Sequence, residues 1–441
     1  MRKLRAVNLP GATMALRAST SLLAAVMTGA LALTVAGCGG GSSGGSGGLT
    51  YWSMWKESEP QAKVLADAVR AFEAETGVKV SVQWQGREVL KKVTPALRGG
   101  DVPDLVDQEE NPIRATLVQA DAFRDLSAVF AAEVPGSGKK VSQVVSDKYL
   151  STLKKDGKPF LVPYEVIGHG LWFDGAAHPG IAASPPKTWQ DFTALLAKSK
   201  SEGRSPIALD GDIAYYNAYW TVGALQNALG PGRVSELAKD PTGKAWDSAE
   251  VRAVLASVRD LSKQGYFAPG FDGSKWPAVQ EKWAQGQADF LLMGSWAPSE
   301  TGAKAKAGFT YQFAPLPGAR QSIPVGSLGF TIPKRAKNPE AAERFIAFFL
   351  KDQHLGKIAT EAKNLTPNPA LPAPPELAGL AKATAELPVS RPLDGLEADY
   401  PGYVDEVLYP ANDLLVKGKS EVDGFLTQIA ERQANYWKKH R

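Results

Sequence analysis

Short apolar strands alternate with amphipathic helices along the chain. "LTYWS" at 49–53 reads as a strand. The stretch 59–76 carries Val64, Ala68, Val69 and Phe72 on one helical side, and Gly77 follows as a stop. "VKVSVQW" at 78–84 alternates, which predicts a second strand. A helix over 88–97 ends at Gly99 and Gly100, and "VPDLVDQ" predicts a third strand. Strand, helix, strand, helix, strand in that order predicts a parallel α/β lobe.

The pattern continues with a helix over 115–126. "GKPFLVPYEVIGHGLWFD" at 157–174 predicts two strands with a bend or crossover at Pro163, because a proline cannot donate to a central ladder. "PPKTWQDF" opens a helix with Thr188 as N-cap and Asp191 three residues on. "SPIALD" reads as a buried strand, followed by helices over 215–229 and 248–265. "WPAVQEKWAQ" is helical up to a stop at Gly286, and a strand spans 288–293. "YQFAPLPG" and "SLGFTIP" predict two more strands, "NPEAAERFIAFFLKD" an amphipathic helix, and the residues after 351 a mostly helical end with proline-rich joints. No internal repeat is present.

The front end follows a different rule. Arg2, Lys3, Arg5 and Arg17 precede or begin an apolar run at 21–36, which leads into Gly37 and Cys38. This is the layout of an export signal, expected over 1–37. Val35, Ala36, Gly37 and Cys38 resemble the bacterial lipobox. That resemblance implies cleavage before Cys38, which then carries a diacylglycerol, a lipid anchor with acyl chains such as palmitate. A Gly/Ser tether over 38–48 follows. Cys38 is the single cysteine, so no internal disulfide is available. A body of about 400 residues can instead rely on its core.

Charge excludes one class of partner. Of 50 basic residues against 46 acidic ones, four lie in the signal, so the exported chain is formally neutral. Neutrality argues against a nucleic-acid binder. The four histidines, His169, His178, His354 and His440, have no metal-ligand spacing, and no metal or cofactor is expected. All 11 tryptophans lie after the signal.

Six stretches in order carry a resemblance: "FEAETGVKVSVQW", "LRGGDVPDLV", "GKPFLVPYEVIGHGLWFD", "PPKTWQDF", "GQADFLLMGSW" and "NPEAAERFIAFF". Together they resemble the maltose-binding-protein-like extracellular solute-binding proteins (family 1) of bacterial sugar ABC transporters. Asp174 stands where that pattern usually has Asn. The resemblance implies an α/β type II periplasmic-binding-protein fold with two lobes, hinge crossovers and a ligand cleft between them. The expected division is 49–162 with 305–350 for the first lobe, and 163–304 with 351–441 for the second. The partners implied are a carbohydrate, the permease subunits and, indirectly, a separate ATPase. A monomer is expected, held by its lipid at the extracellular face of a Gram-positive cell membrane.

In open α/β sheets ligands sit beyond the carboxyl ends of strands, which selects the candidates. Trp55, Lys56 and Glu57 follow the first strand, with Glu59 either near the ligand or capping the next helix. Glu109 and Glu110 follow the third. Asp210, Tyr215 and Tyr216 follow "SPIALD", although the two tyrosines also fit a helical core stripe. Gly294, Ser295 and Trp296 end the strand at 288–293, and the resemblance implies that this tryptophan stacks on or borders the sugar. Tyr164 and Glu165 lie at the crossover, where Glu165 requires a ligand or a lysine if buried. Trp276 sits on an aromatic loop, and Tyr403 in the C-terminal helical region. Aromatic faces and carboxylates suit the C–H faces and hydroxyl rims of pyranoses. The competing readings are a binding protein for another solute such as a polyamine, and a secreted carbohydrate-active enzyme.

Overall fold

The computed structural model describes residues 48–440. Export signal, Cys38 and nearly all of the tether lie outside the described residues. Three strands, β1 (Leu49–Ser53), β2 (Val80–Trp84) and β3 (Leu105–Glu109), form the expected parallel unit in the order β2-β1-β3. The helix Pro60–Thr76 connects the first two. It buries Val64, Leu65, Ala68, Val69 and Phe72 on one face, and Gly77 caps it in the left-handed conformation.

β4 (Val162–Asp174) is one 13-residue strand where two were expected. It accommodates Pro163 through a register shift. Its antiparallel partner pairs Leu328 with Glu165 but Gly329 with Pro163, so Tyr164 is the extra, bulged residue. Gly329 is required there: a Cβ on it would lie 2.3 Å from the Val162 carbonyl oxygen.

The second parallel unit is β5 (Ser205–Ala208) beside β6 (Ala288–Gly294). β7 (Tyr311–Ala314), β8 (Ile323–Thr331) and β9 (Val389–Ser390) complete a nine-stranded sheet. Its main path is β2-β1-β3-β8-β4-β6-β5, with β7 against β4 and β9 against β8. β4 and β8 run through both halves: Val162–Gly168 pair with β8, and His169–Phe173 pair with β6.

Separate cores lie on the two sides of this crossover. One packs Phe72, Tyr164, Phe330, Phe345 and Phe349. The other side has two clusters, one around Phe192, Trp220, Trp246 and Tyr403, the second around Trp172, Trp283 and Phe313. Packing divides the chain differently from the expected boundaries. β7, expected in the first lobe, pairs with Leu171–Asp174 and packs Phe313 and Ala314 into the second-side cores. Leu355 and Ile358, expected in the second lobe, pack into the first core.

One helix is misplaced in the sequence reading. The expected 115–126 helix starts directly after β3, as Glu110–Ile113 running into a π turn at Arg114–Val118. Asp121, at φ 50°, then turns the chain away. Thr188 and Asp191 form the expected capping box, with Asp191 N–H donating to Thr188 Oγ1 at 3.0 Å.

Candidate functional site

The ends of β1, β3 and β6 and the helix after β5 meet at one cleft. Its floor comes from β4, where the period of two puts Glu165, Ile167 and His169 on one face. The wide end, about 530 Å³, is lined by Trp55, Glu59, Arg87, Glu165, Tyr216 and Glu300 among others. The narrow end, about 320 Å³, is lined by Glu110, Asn111, His169, Tyr215, Pro392 and Glu397 among others. Glu109, Ile167, Trp296 and Leu328 line both ends and make them one cleft. A larger surface hollow of about 800 Å³ shares no residue with it. There Asp289 is already taken by Arg204 at 3.1 Å and His178 at 3.2 Å.

Trp55 is held from both sides. Its Nε1–H donates to the Tyr164 hydroxyl at 2.7 Å, and the Arg87 guanidinium lies 4.4 Å over its ring. Arg87 in turn grips both Glu59 oxygens, at 2.6 and 3.0 Å. Trp296 stands edge-on to His169, with ring centroids 5.4 Å apart. Gly294 makes room for it, since a Cβ there would lie 2.2 Å from the indole ring. The role of Gly294 is therefore to seat Trp296.

The carboxylates are poorly compensated. Glu165 is buried and accepts from the Gln61 amide at 3.3 Å; of the ligand or lysine expected beside it, no lysine is there among the described residues. Burial pushes its pKa up to about 8. Glu109 keeps solvent access from the cleft, yet the crowding of protein around it, and then the Glu397 charge, raise its pKa. Burial also raises Glu300 and Glu397. Glu397 accepts from Tyr409 at 3.2 Å and Asn111 at 3.4 Å. Glu110 is 1% exposed, and neither of its oxygens has a hydrogen-bond partner. Its nearest cation is Arg391 Nε at 3.7 Å, and burial lifts it to about 7.

His169 is neutral, since burial lowers its pKa to about 4. Its Nδ1–H donates to the Pro324 carbonyl at 3.2 Å, which leaves Nε2 as an acceptor without a protein partner. The segment bearing Pro392 and Glu397 is fixed by Asp394. That carboxylate accepts the backbone N–H groups of Gly232, Val234 and Ser235 at 2.7–3.0 Å.

Several candidates stand elsewhere. Lys56 and Glu57 are exposed and line neither end. Tyr164 is fully buried beneath Trp55, its hydroxyl donating to Asp107 at 2.6 Å. Asp210 is spent on the start of the helix Ala278–Ala284, accepting from Val279 and Gln280 N–H at 2.8 and 3.0 Å. Ser295 is buried beside the cleft without lining it. Trp276 is 45% exposed and lines neither end. Tyr403 is fully buried in the second-side core, bonded to Gln433. Arg87, His169, Glu300 and Glu397 line the cleft without having been singled out. Only His169 carried a signal, as a polar residue two positions beyond Ile167 on the same strand face.

Residues 55–354 match the family described as bacterial extracellular solute-binding protein. The chain belongs to that family. Among relatives of this solute-binding protein is the diacetylchitobiose binding protein NgcE of Streptomyces coelicolor, 24% identical over 63% of this chain and 60% of that one. The chain thus spans less than two thirds of the length of the first curated relatives it matches. The galactooligosaccharide-binding protein of Bacillus subtilis is 23% identical over 91% and 94% of the two chains. The solved apo-form of RafE from Streptococcus pneumoniae superposes with a TM-score of 0.75 at 18% identity, covering 89% of this chain and 99% of that one. The solute-binding protein therefore has the two-lobed type II fold. Among its described residues no helix is long and apolar enough to cross a membrane.

Proposed function

We propose that the protein captures a di- or oligosaccharide outside the cell by closing its lobes on it, and delivers it to the permease of an ABC importer whose ATPase is a separate chain. One observation carries this reading: the rings of Tyr215, Tyr216 and Trp296 share a cleft with the carboxylates of Glu109, Glu165 and Glu397, while Trp55, 4% exposed with Arg87 over its ring, backs the cleft wall. Rings take the C–H faces of a pyranose, and carboxylates take its hydroxyls. The two ends of the cleft have room for more than one sugar ring. Names among the relatives and neighbours, diacetylchitobiose, galactooligosaccharide and raffinose, favour the same class. The lobe division that supports closure has its hinge in β4 and β8, the strands that run through both halves. The role is binding, without catalysis.

Titration of saccharides against intrinsic tryptophan fluorescence tests this. A saturable shift is expected with one saccharide class. Trp296→Ala is expected to weaken it roughly thirtyfold, the effect of truncating a central aromatic contact. No shift with any saccharide would overturn the reading. Anchoring through Cys38 belongs to the same proposal. Cys38→Ser is expected to abolish palmitate labelling and release the protein into the medium, whereas unchanged labelling would place the lipid elsewhere.

A further inference from the structure

We propose that the saccharide this cleft selects carries a protonated amine, so that the preferred ligand is an amino sugar with its nitrogen free. This rests on the carbohydrate reading above and narrows it. Glu109, Glu165 and Glu397 line one continuous cleft, and Glu109 stands in the field of both others. Arg87, the cation at the wide end, is already engaged by both oxygens of Glu59. At the narrow end Arg391 gives Nη1 to Asp399 at 2.6 Å, and its Nε lies 3.7 Å from Glu110. Glu109, Glu165 and Glu397 therefore have only neutral partners within hydrogen-bond distance, or none.

Two further atoms point to a donor-rich ligand. Both Glu110 oxygens and His169 Nε2 lack partners in residues at least nine-tenths buried, and both residues line the narrow end. All are acceptors. Closing the lobes strips water from Glu109 and Glu397, which are open to the cleft, and a carboxylate that loses water without gaining a counter-charge is strongly destabilised. An ammonium supplies the counter-charge and three donors in one group. A metal ion is the wrong occupant, since no group of three or more His, Cys, Asp or Glu among the described residues is placed to hold one. A bare polyamine would leave the faces of Trp296 and Tyr215 without a ring to cover.

The test compares three probes by calorimetry at neutral pH: the trimer of glucosamine, the same trimer fully N-acetylated, and spermidine. Acetylation removes the charge and keeps the rings. The free amine is expected to bind at least about tenfold tighter, the difference between a charge-assisted and a neutral hydrogen bond. Glu109→Gln is expected to reduce that ratio to near one, and Glu109→Asp to restore part of it. Equal or tighter binding of the acetylated trimer overturns the inference and leaves the carbohydrate reading standing. Binding of spermidine alone overturns both. If none of the three binds, the amine preference falls, and the carbohydrate reading is decided by the neutral saccharides.

Discussion

Asp107→Ala is expected to lower the folding stability by about 4 kcal/mol. The carboxylate lies fully buried between β1 and β4, accepting Met54 N–H at 2.8 Å and the Tyr164 hydroxyl at 2.6 Å. Burial raises its pKa, and the hydrogen bonds, first that from Tyr164, oppose the rise. Truncation leaves two buried donors without an acceptor, each worth about 1–3 kcal/mol, and opens a void. The effect reaches the cleft, because the Tyr164 hydroxyl that donates to Asp107 also accepts from Trp55 Nε1. Asp107→Asn keeps an acceptor oxygen and is expected to lose about half as much. Urea unfolding of the three proteins checks this. A loss below about 1 kcal/mol for the alanine variant would mean that water replaces the carboxylate and that the chain of bonds does not hold Trp55.

The same triad shows what the sequence could and could not reveal. The strand ends were readable because each parallel strand is bounded by a helix of clear period, so Trp55, Glu109 and Trp296 could be placed at the carboxyl edge. Whether a residue there faces ligand or protein depends on partners distant in sequence. Tyr164 points beneath the cleft because Asp107 lies there, and Asp210 turns away because the helix Ala278–Ala284 presents free N–H groups to it. Tyr403 resembles a cleft aromatic in composition, yet Gln433 on the last helix draws it into the core. Arg87 and Glu397 belong to no motif. They reach the cleft because a short loop and a left-handed turn at Leu393 and Asp394 deliver them. The single long β4 escaped a local reading, since the feature that tolerates Pro163 is a glycine on another strand, Gly329.

The protein is expected to be less stable at pH 8 than at pH 6, by about 3–4 kcal/mol, and Glu165→Gln to remove about 2 kcal/mol of that difference. The sign follows from the Glu165 pKa, about 8 when folded against an ordinary 4.5. Between those values the folded protein holds a proton that the unfolded chain has lost. The stabilisation is complete below pH 4.5 and falls by about 1.4 kcal/mol per pH unit until the folded group ionises near pH 8. Glu110, at about 7, contributes in the same direction over a narrower window. The Gln61 amide donates to Glu165, and the Glu109 charge raises its pKa while Arg87 and Asn364 lower it. Gln at position 165 keeps the shape without the ionisation. Urea unfolding at pH 6, 7 and 8 measures the slope, and a slope unchanged in Glu165→Gln would show that Glu165 is ionised throughout. Ligand sharpens the experiment. An ammonium beside Glu165 holds it ionised and releases its proton, so a saturating amino sugar should flatten the slope. A neutral sugar that donates only hydroxyls should leave most of it in place.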